Sequence, residues 1–211
     1  VKERGMIFNG EMVRATIDGR KTQTRRIVKP QYRHENQQLV KCDDGLFRWW
    51  LKGAQLPHGA PVNPQHGKVG DRIWVRETSG LQIRRDALGG TGEFRVYRAS
   101  NPDAIRYKTA SGEIAPIKWV PSIHMPRYAS RITLEITDVR VELLNNISEE
   151  DAQAEGVESL HGGYWRHYQP EWTQHQLSAK GSFATLWKSI YGEENWNSNP
   201  WVWVTEFKQI K

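Results

Sequence analysis

Residues 130–144, SRITLEITDVRVELL, alternate apolar and polar side chains with a period of two. That period sends successive side chains to opposite faces of an extended chain, and it does not suit a helix, whose apolar positions recur every three or four residues. Ile132, Leu134 and Ile136 share one phase, and Val139, Val141 and Leu143 share the other. The slip at Thr137–Asp138 predicts a bulge, a bend or a turn between two strands. A second such segment, NPWVWVTEF, closes the sequence. There Val202 and Val204 oppose Trp201 and Trp203, so both faces of that strand are candidates for burial.

The remaining elements are short. GMIFNG reads as a strand closed by Asn9-Gly10, and EMVRATIDG as a helix with Met12, Val13, Thr16 and Ile17 on one face and a stop at Gly19. TQTRRIV alternates as a strand that Pro30 ends. LVKCDDGLFRWWL predicts a hairpin turning at Asp44-Gly45. GKVGDRIWVRET predicts a turn at Gly70-Asp71 followed by a strand, and EFRVYRA another strand. Ser148, with Asp151 three residues on, marks the start of a helix that Gly156 closes just after Glu155. SFATLWKSIYG predicts a longer helix with Phe183, Leu186, Trp187 and Ile190 at core spacing. Short strands, a few helices and no βαβ alternation predict an α+β or small-barrel fold rather than a doubly wound one. The 211 residues contain no repeat or low-complexity linker, so one domain spanning 1–211 is expected.

Charge is concentrated at one end. Residues 1–30 carry eight Lys/Arg against three Asp/Glu, whereas the other 181 carry 22 against 21. A localised excess of cations suits a polyanionic partner, with a solvated charged face as the alternative. The single cysteine, Cys42, excludes an intramolecular disulfide framework and a cysteine zinc site. A reducing, cytoplasmic setting is the expectation, with no membrane association, since no apolar run has the length of a span. His161, His167 and His175 lack compact ligand spacing, so neither a metal nor another cofactor is expected.

The densest basic stretch is DGRKTQTRRI, residues 18–27, at a junction of helix and strand. Together DGRKTQTRR, VGDRIWVRE, ISEEDAQAEGV and the final WVWVTEF resemble the ASCH-domain family, in that order and over about half the chain. Its long, tryptophan-rich form resembles members found in prophages. The resemblance implies a PUA-like β-barrel and a link to RNA or modified-nucleoside chemistry. It also implies insertions at about 29–66, 79–128 and 157–181. Gly19, Lys21 and Arg26 fit the family motif G-x-K-x-x-E-x-R, while Thr24 replaces its glutamate. Small bacterial members that hydrolyse N4-acetylcytidine resemble the sequence here, with G-x-K-x-x-T and a glutamate late in a later helix, which maps onto Glu155.

The resemblance therefore implies a catalytic set of Lys21, Thr24 and Glu155, in an amidohydrolase acting on N4-acylated cytidine. A threonine hydroxyl attacks only when a base removes its proton, and a lysine is a base only when neutral. Burial and the neighbouring Arg20, Arg25 and Arg26 favour the neutral form. In a second version Lys21 stabilises an oxyanion and water attacks. On a regular strand Lys21 and Thr24 would face opposite ways, so a shared pocket requires a local bend. Arg20, Arg25, Arg26 and Arg76, with His124 and Arg127 from PSIHMPRYASR, are candidate ligand-binding residues. Trp49, Trp50, Trp74, Trp119, Trp201 and Trp203 are candidates for stacking on bases or for the core. The expected partner is RNA or a modified nucleoside, with DNA a further polyanion of the same kind. A binding module without turnover and a ribonuclease are the alternatives.

Overall fold

The computed structural model describes residues 1–31, 36–55, 58–85 and 91–210. In chain order they form β1 (Glu3–Ile7), α1 (Gly10–Ile17), β2 (Gln23–Ile27), β3 (Gln37–Lys41), β4 (Phe47–Leu51) and β5 (His58–Val62). There follow β6 (Arg72–Arg76), β7 (Ser79–Arg85), β8 (Thr91–Tyr97), β9 (Ile105–Lys108), β10 (Ile114–Pro116) and β11 (Thr133–Leu143). The last elements are α2 (Glu149–Ala154), α3 (Ala179–Tyr191), α4 (Glu193–Asn197) and β12 (Trp201–Gln209). The class is α+β. No helix among the described residues is long and apolar enough to cross a membrane.

The central sheet runs in the order β1-β6-β11-β12-β2, with β1 parallel to β6 and every other pair antiparallel. The phase slip in β11 is a bulge: Ile136 pairs with Phe207 and Asp138 with Glu206, leaving Thr137 as the extra residue. An extra residue in one strand turns the following side chains over. Ile132, Leu134 and Ile136 therefore enter the same core as Val139, although they alternate out of phase in sequence. The alternation and the bulge cancel.

Each face of the sheet has its own core. Paired residues on neighbouring strands share a face, so β12 sorts its neighbours. Trp203 lies opposite Arg26 and Val141 and joins the first core with Met6, Phe8, Ile73 and Phe207. Val202 and Val204 join the second core, built on Ala152 of α2 and on Phe183, Leu186 and Trp187 of α3. Both faces of the final strand are thus buried.

The insertions contribute packing as well as loops. β3, β4 and β5 form a separate sheet whose Leu39, Phe47 and Trp49 enter the first core, where Phe47 meets Trp203 edge to face. Trp49 and Trp203 are therefore core side chains and do not serve as exposed stacking platforms. The expected hairpin at 39–51 is present with a third strand added, while residues 32–35 and 56–57 of that insertion lie outside the described residues. Residues 79–128, where the sequence predicts a strand at EFRVYRA, carry two hairpins, β7–β8 and β9–β10.

One expectation needs correction. Among the described residues no pairing joins the edge strands β1 and β2, so the sheet is open and not the closed barrel that the resemblance implies. The chain between these edges is spent on α1. A side chain, not a ladder, spans the gap: Arg26 Nη2 donates to the Ile7 carbonyl at 3.0 Å.

Candidate functional site

The site forms where α1 hands the chain to β2. Asn9 caps α1 by accepting from the Met12 amide, and Gly19 ends the turn with φ +74°. Lys21 then sits before β2 and pairs with Glu155 through an isolated antiparallel bridge. Glu155 is held at the C-terminus of α2, whose start is capped by Ser148 as its sequence predicts. Gly156 closes the joint with φ +90°, and a Cβ there would lie 2.8 Å from the Cβ atoms of both Ala15 and Lys21. Only glycine permits this approach.

Lys21 and Glu155 form an ion pair with side chains 0% and 3% exposed. Lys21 Nζ donates to Glu155 Oε2 at 2.9 Å, to the Glu155 carbonyl at 2.9 Å and to the Gln23 carbonyl at 2.8 Å. Burial holds the amine below the ordinary lysine range, and the Glu155 carboxylate opposes that shift. The other Glu155 oxygen accepts from Arg25 Nη1 at 3.1 Å.

Arg25 needs correction as a ligand-binding candidate. On β2 it points to the face covered by α3, with its guanidinium against the Phe183 ring. It pairs there with Glu142, Asp151 and Glu155, and its side chain is 0% exposed. An arginine enclosed by carboxylates is a strut between sheet and helix and offers nothing to a phosphate. Arg140 extends the network to Asp151 and Glu206. Glu142 and Arg140 were legible only as the polar phase of β11; which charges that phase meets depends on the docking of α2.

Thr24 faces the other way from Arg25, paired across the sheet with Thr205. It is 1% exposed, and its hydroxyl has no hydrogen-bond partner among the described residues. A small cleft at this edge of β2 is bordered by Thr24, Arg25, Arg26 and Glu155 together with Phe183, Leu186, Trp187 and Tyr191 of α3. The space is about 10 Å³, close to one water. Arg26 Nη1 donates to the Tyr191 hydroxyl at 3.0 Å across this cleft.

The other candidates lie elsewhere. Arg20 donates to the Gly156 carbonyl and to Asp18 at the edge of the Lys21 joint. Arg76 is tied to the Ser122 and Ile123 carbonyls and Arg127 to Glu3, while His124 is exposed. None of these last three lines the Thr24 cleft, so the PSIHMPRYASR loop belongs to a different surface. Sequence reasoning missed His66: burial, with Arg26 and Arg4 nearby, pushes its imidazole down to about 4. It also missed Tyr191. No family model, curated protein or solved structure matches the chain.

Proposed function

We propose that the chain is an ASCH-type protein of PUA-like ancestry that takes a modified nucleoside, free or within RNA, at the cleft between β2 and α3. There it hydrolyses an acyl amide on the base, N4-acetylcytidine being the model substrate. The observation that carries this reading is Thr24, whose buried hydroxyl has no hydrogen-bond partner among the described residues and which, with Glu155, borders the cleft. A buried hydroxyl left unpaired costs about 1–3 kcal/mol, a cost that a reacting group offsets through its use. Thr24 Oγ1 adds to the acyl carbonyl. Because the Thr24 hydroxyl has no partner among the described residues, its proton passes to the Lys21–Glu155 pair through a water in the cleft. The pair returns the proton to the departing base amine, and water then releases the acid from the acyl-threonine. A base enters only when Tyr191 swings away from Arg26, because the cleft as it stands holds one water-sized group.

A binding module without turnover is the second reading, and one observation favours it. Lys21 Nζ meets three acceptors, the full donor set of an ammonium, and a lysine held that way is no base. Incubation with N4-acetylcytidine, followed by chromatography for cytidine, separates the two. Turnover that Lys21→Arg abolishes supports hydrolysis. Retention of the acetylated nucleoside without cleavage supports the module, and neither turnover nor retention would sink both.

A further inference from the structure

The insertion at 79–128 builds a second basic feature that shares no residue with the Lys21 site. The segment following β10 returns along β7: Ser79 and Val120 exchange backbone hydrogen bonds of 3.2 and 2.8 Å. Gly80 permits this, since a Cβ there would lie 2.3 Å from Ile117 Cγ2. The close approach brings Lys118 beside β7. Arg95 on β8 and Arg106 on β9 complete a groove of about 310 Å³ that Tyr128 closes at one side. That volume is at the small end of the range for ligand pockets, about 300–1,000 Å³.

Every charged residue lining the groove is a cation: Arg95, Arg106 and Lys118. Among the described residues Glu93 pairs with one of them, 3.7 Å from Arg106 Nη2, and is itself half exposed. Arg106 Nε is buried without a hydrogen-bond partner among the described residues. Arg95 Nη1 donates to Ser79 Oγ at 3.2 Å. Tyr128 is 83% exposed, and its ring centre lies 5.8 Å from the Arg95 guanidinium. Its backbone is nonetheless fixed. It sits in a turn between Pro126 and Ser130, and the Tyr97 hydroxyl donates to the neighbouring Ala129 carbonyl at 2.9 Å. An exposed aromatic ring beside Arg95, in a groove that Arg106 and Lys118 also line, has the two parts that single-stranded nucleic acid requires: a stacking surface and a phosphate clamp.

We propose that this groove binds a single nucleic-acid strand, one base stacked on Tyr128 and adjoining phosphates held by Arg95, Arg106 and Lys118. An acidic peptide would use the cations and leave the ring idle, and a duplex would offer no unstacked base. The test is fluorescence anisotropy of the full chain with a labelled oligouridylate of about 12 nucleotides, long enough to cover a single-strand site of about 4–16 nucleotides. Removing three phosphate contacts with Arg95→Ala/Arg106→Ala/Lys118→Ala is expected to reduce the salt slope of log affinity by about 2. Tyr128→Ala is expected to weaken binding about 5- to 150-fold, and Tyr128→Trp to restore it. Where the triple variant fails to fold by circular dichroism, the exposed Lys118→Glu alone replaces it, with weaker binding and a flatter salt slope expected. Unchanged affinity in Tyr128→Ala or in the cation variant overturns the proposal. So does equal competition by a polyglutamate peptide of matched length, the mark of a general polyanion surface. The readout is oligonucleotide affinity, and no groove residue lines the Thr24 cleft, so this outcome and that of the acetylcytidine assay are independent.

Discussion

Lys21 and Glu155, 134 residues apart, meet twice: their backbones pair as an isolated bridge, and Nζ donates to Oε2 at 2.9 Å. The double contact welds α2 to the start of β2, and Arg25 adds a second weld from the same strand. Two consequences follow from the burial of these charges. They are costly to leave unpaired, and their protonation is coupled to the fold.

Glu155→Gln is expected to destabilise the protein by about 3–5 kcal/mol, because it strands the buried cation of Lys21, while Arg25 keeps Glu142 and Asp151. Urea unfolding measures the loss. Pairing Lys21→Met with Glu155→Leu should recover part of it, and a double-mutant cycle reads the coupling. Additive single effects would mean that the pair carries no interaction of its own.

Thr24→Val should behave oppositely. It keeps the shape and removes an unsatisfied hydroxyl, so thermal stability is expected to rise by about 1 kcal/mol. Hydrolysis of N4-acetylcytidine should vanish in the same variant, and Thr24→Ser should retain part of it. A destabilised Thr24→Val protein would show that the hydroxyl has a partner in solution.

The Gly156 joint predicts a steep cost for any side chain. Gly156→Ala combines φ +90° with two contacts at 2.8 Å. A loss of about 2–3 kcal/mol is expected, by analogy with other strained positive-φ and overpacked sites. Equilibrium unfolding checks it, and a loss below about 0.5 kcal/mol, the scatter of ordinary surface substitutions, would mean that α1 and α2 part easily there.

Acid should weaken the network from the Asp151 side. Burial raises the Asp151 carboxyl, but Arg25 and Arg140 outweigh it and hold the group below its ordinary 3.8. A depressed carboxylate gives stability that is complete above the unfolded value and is lost as pH falls through the folded one. Unfolding midpoints measured below pH 3.8 should therefore fall faster in the parent than in Asp151→Asn. Parallel curves would count against the coupling.

Catalysis, if it proceeds through Lys21, should rise with pH. Burial holds the amine below its ordinary 10.5, so at any pH its neutral fraction exceeds that of a free lysine and grows as pH rises. A rate profile for N4-acetylcytidine over the whole pH range in which the protein stays folded tests this, and a rate that does not fall as pH is lowered would remove Lys21 as the base.

The period of two in β11 and β12, the caps at Asn9 and Ser148, and the turns at Gly45 and Gly70 were written in the sequence, because each depends on neighbours within a few residues. The K-x-x-T spacing and the position of Glu155 at the end of α2 were likewise legible, and with them the candidate pair. The direction of Arg25 was not. A cation among cations reads as a surface patch, and only the packing of α2 and α3 against β2 turned it inward onto Glu142, Asp151 and Glu155. The same holds for the open edge of the sheet, where α1 and Arg26 stand in place of a strand pair. It holds for the groove at Tyr128 as well, whose cations come from β8, β9 and the segment after β10. Local patterns determine which way a side chain alternates; what it then meets is decided by partners a hundred residues away, through burial and charge pairing that no window of sequence contains.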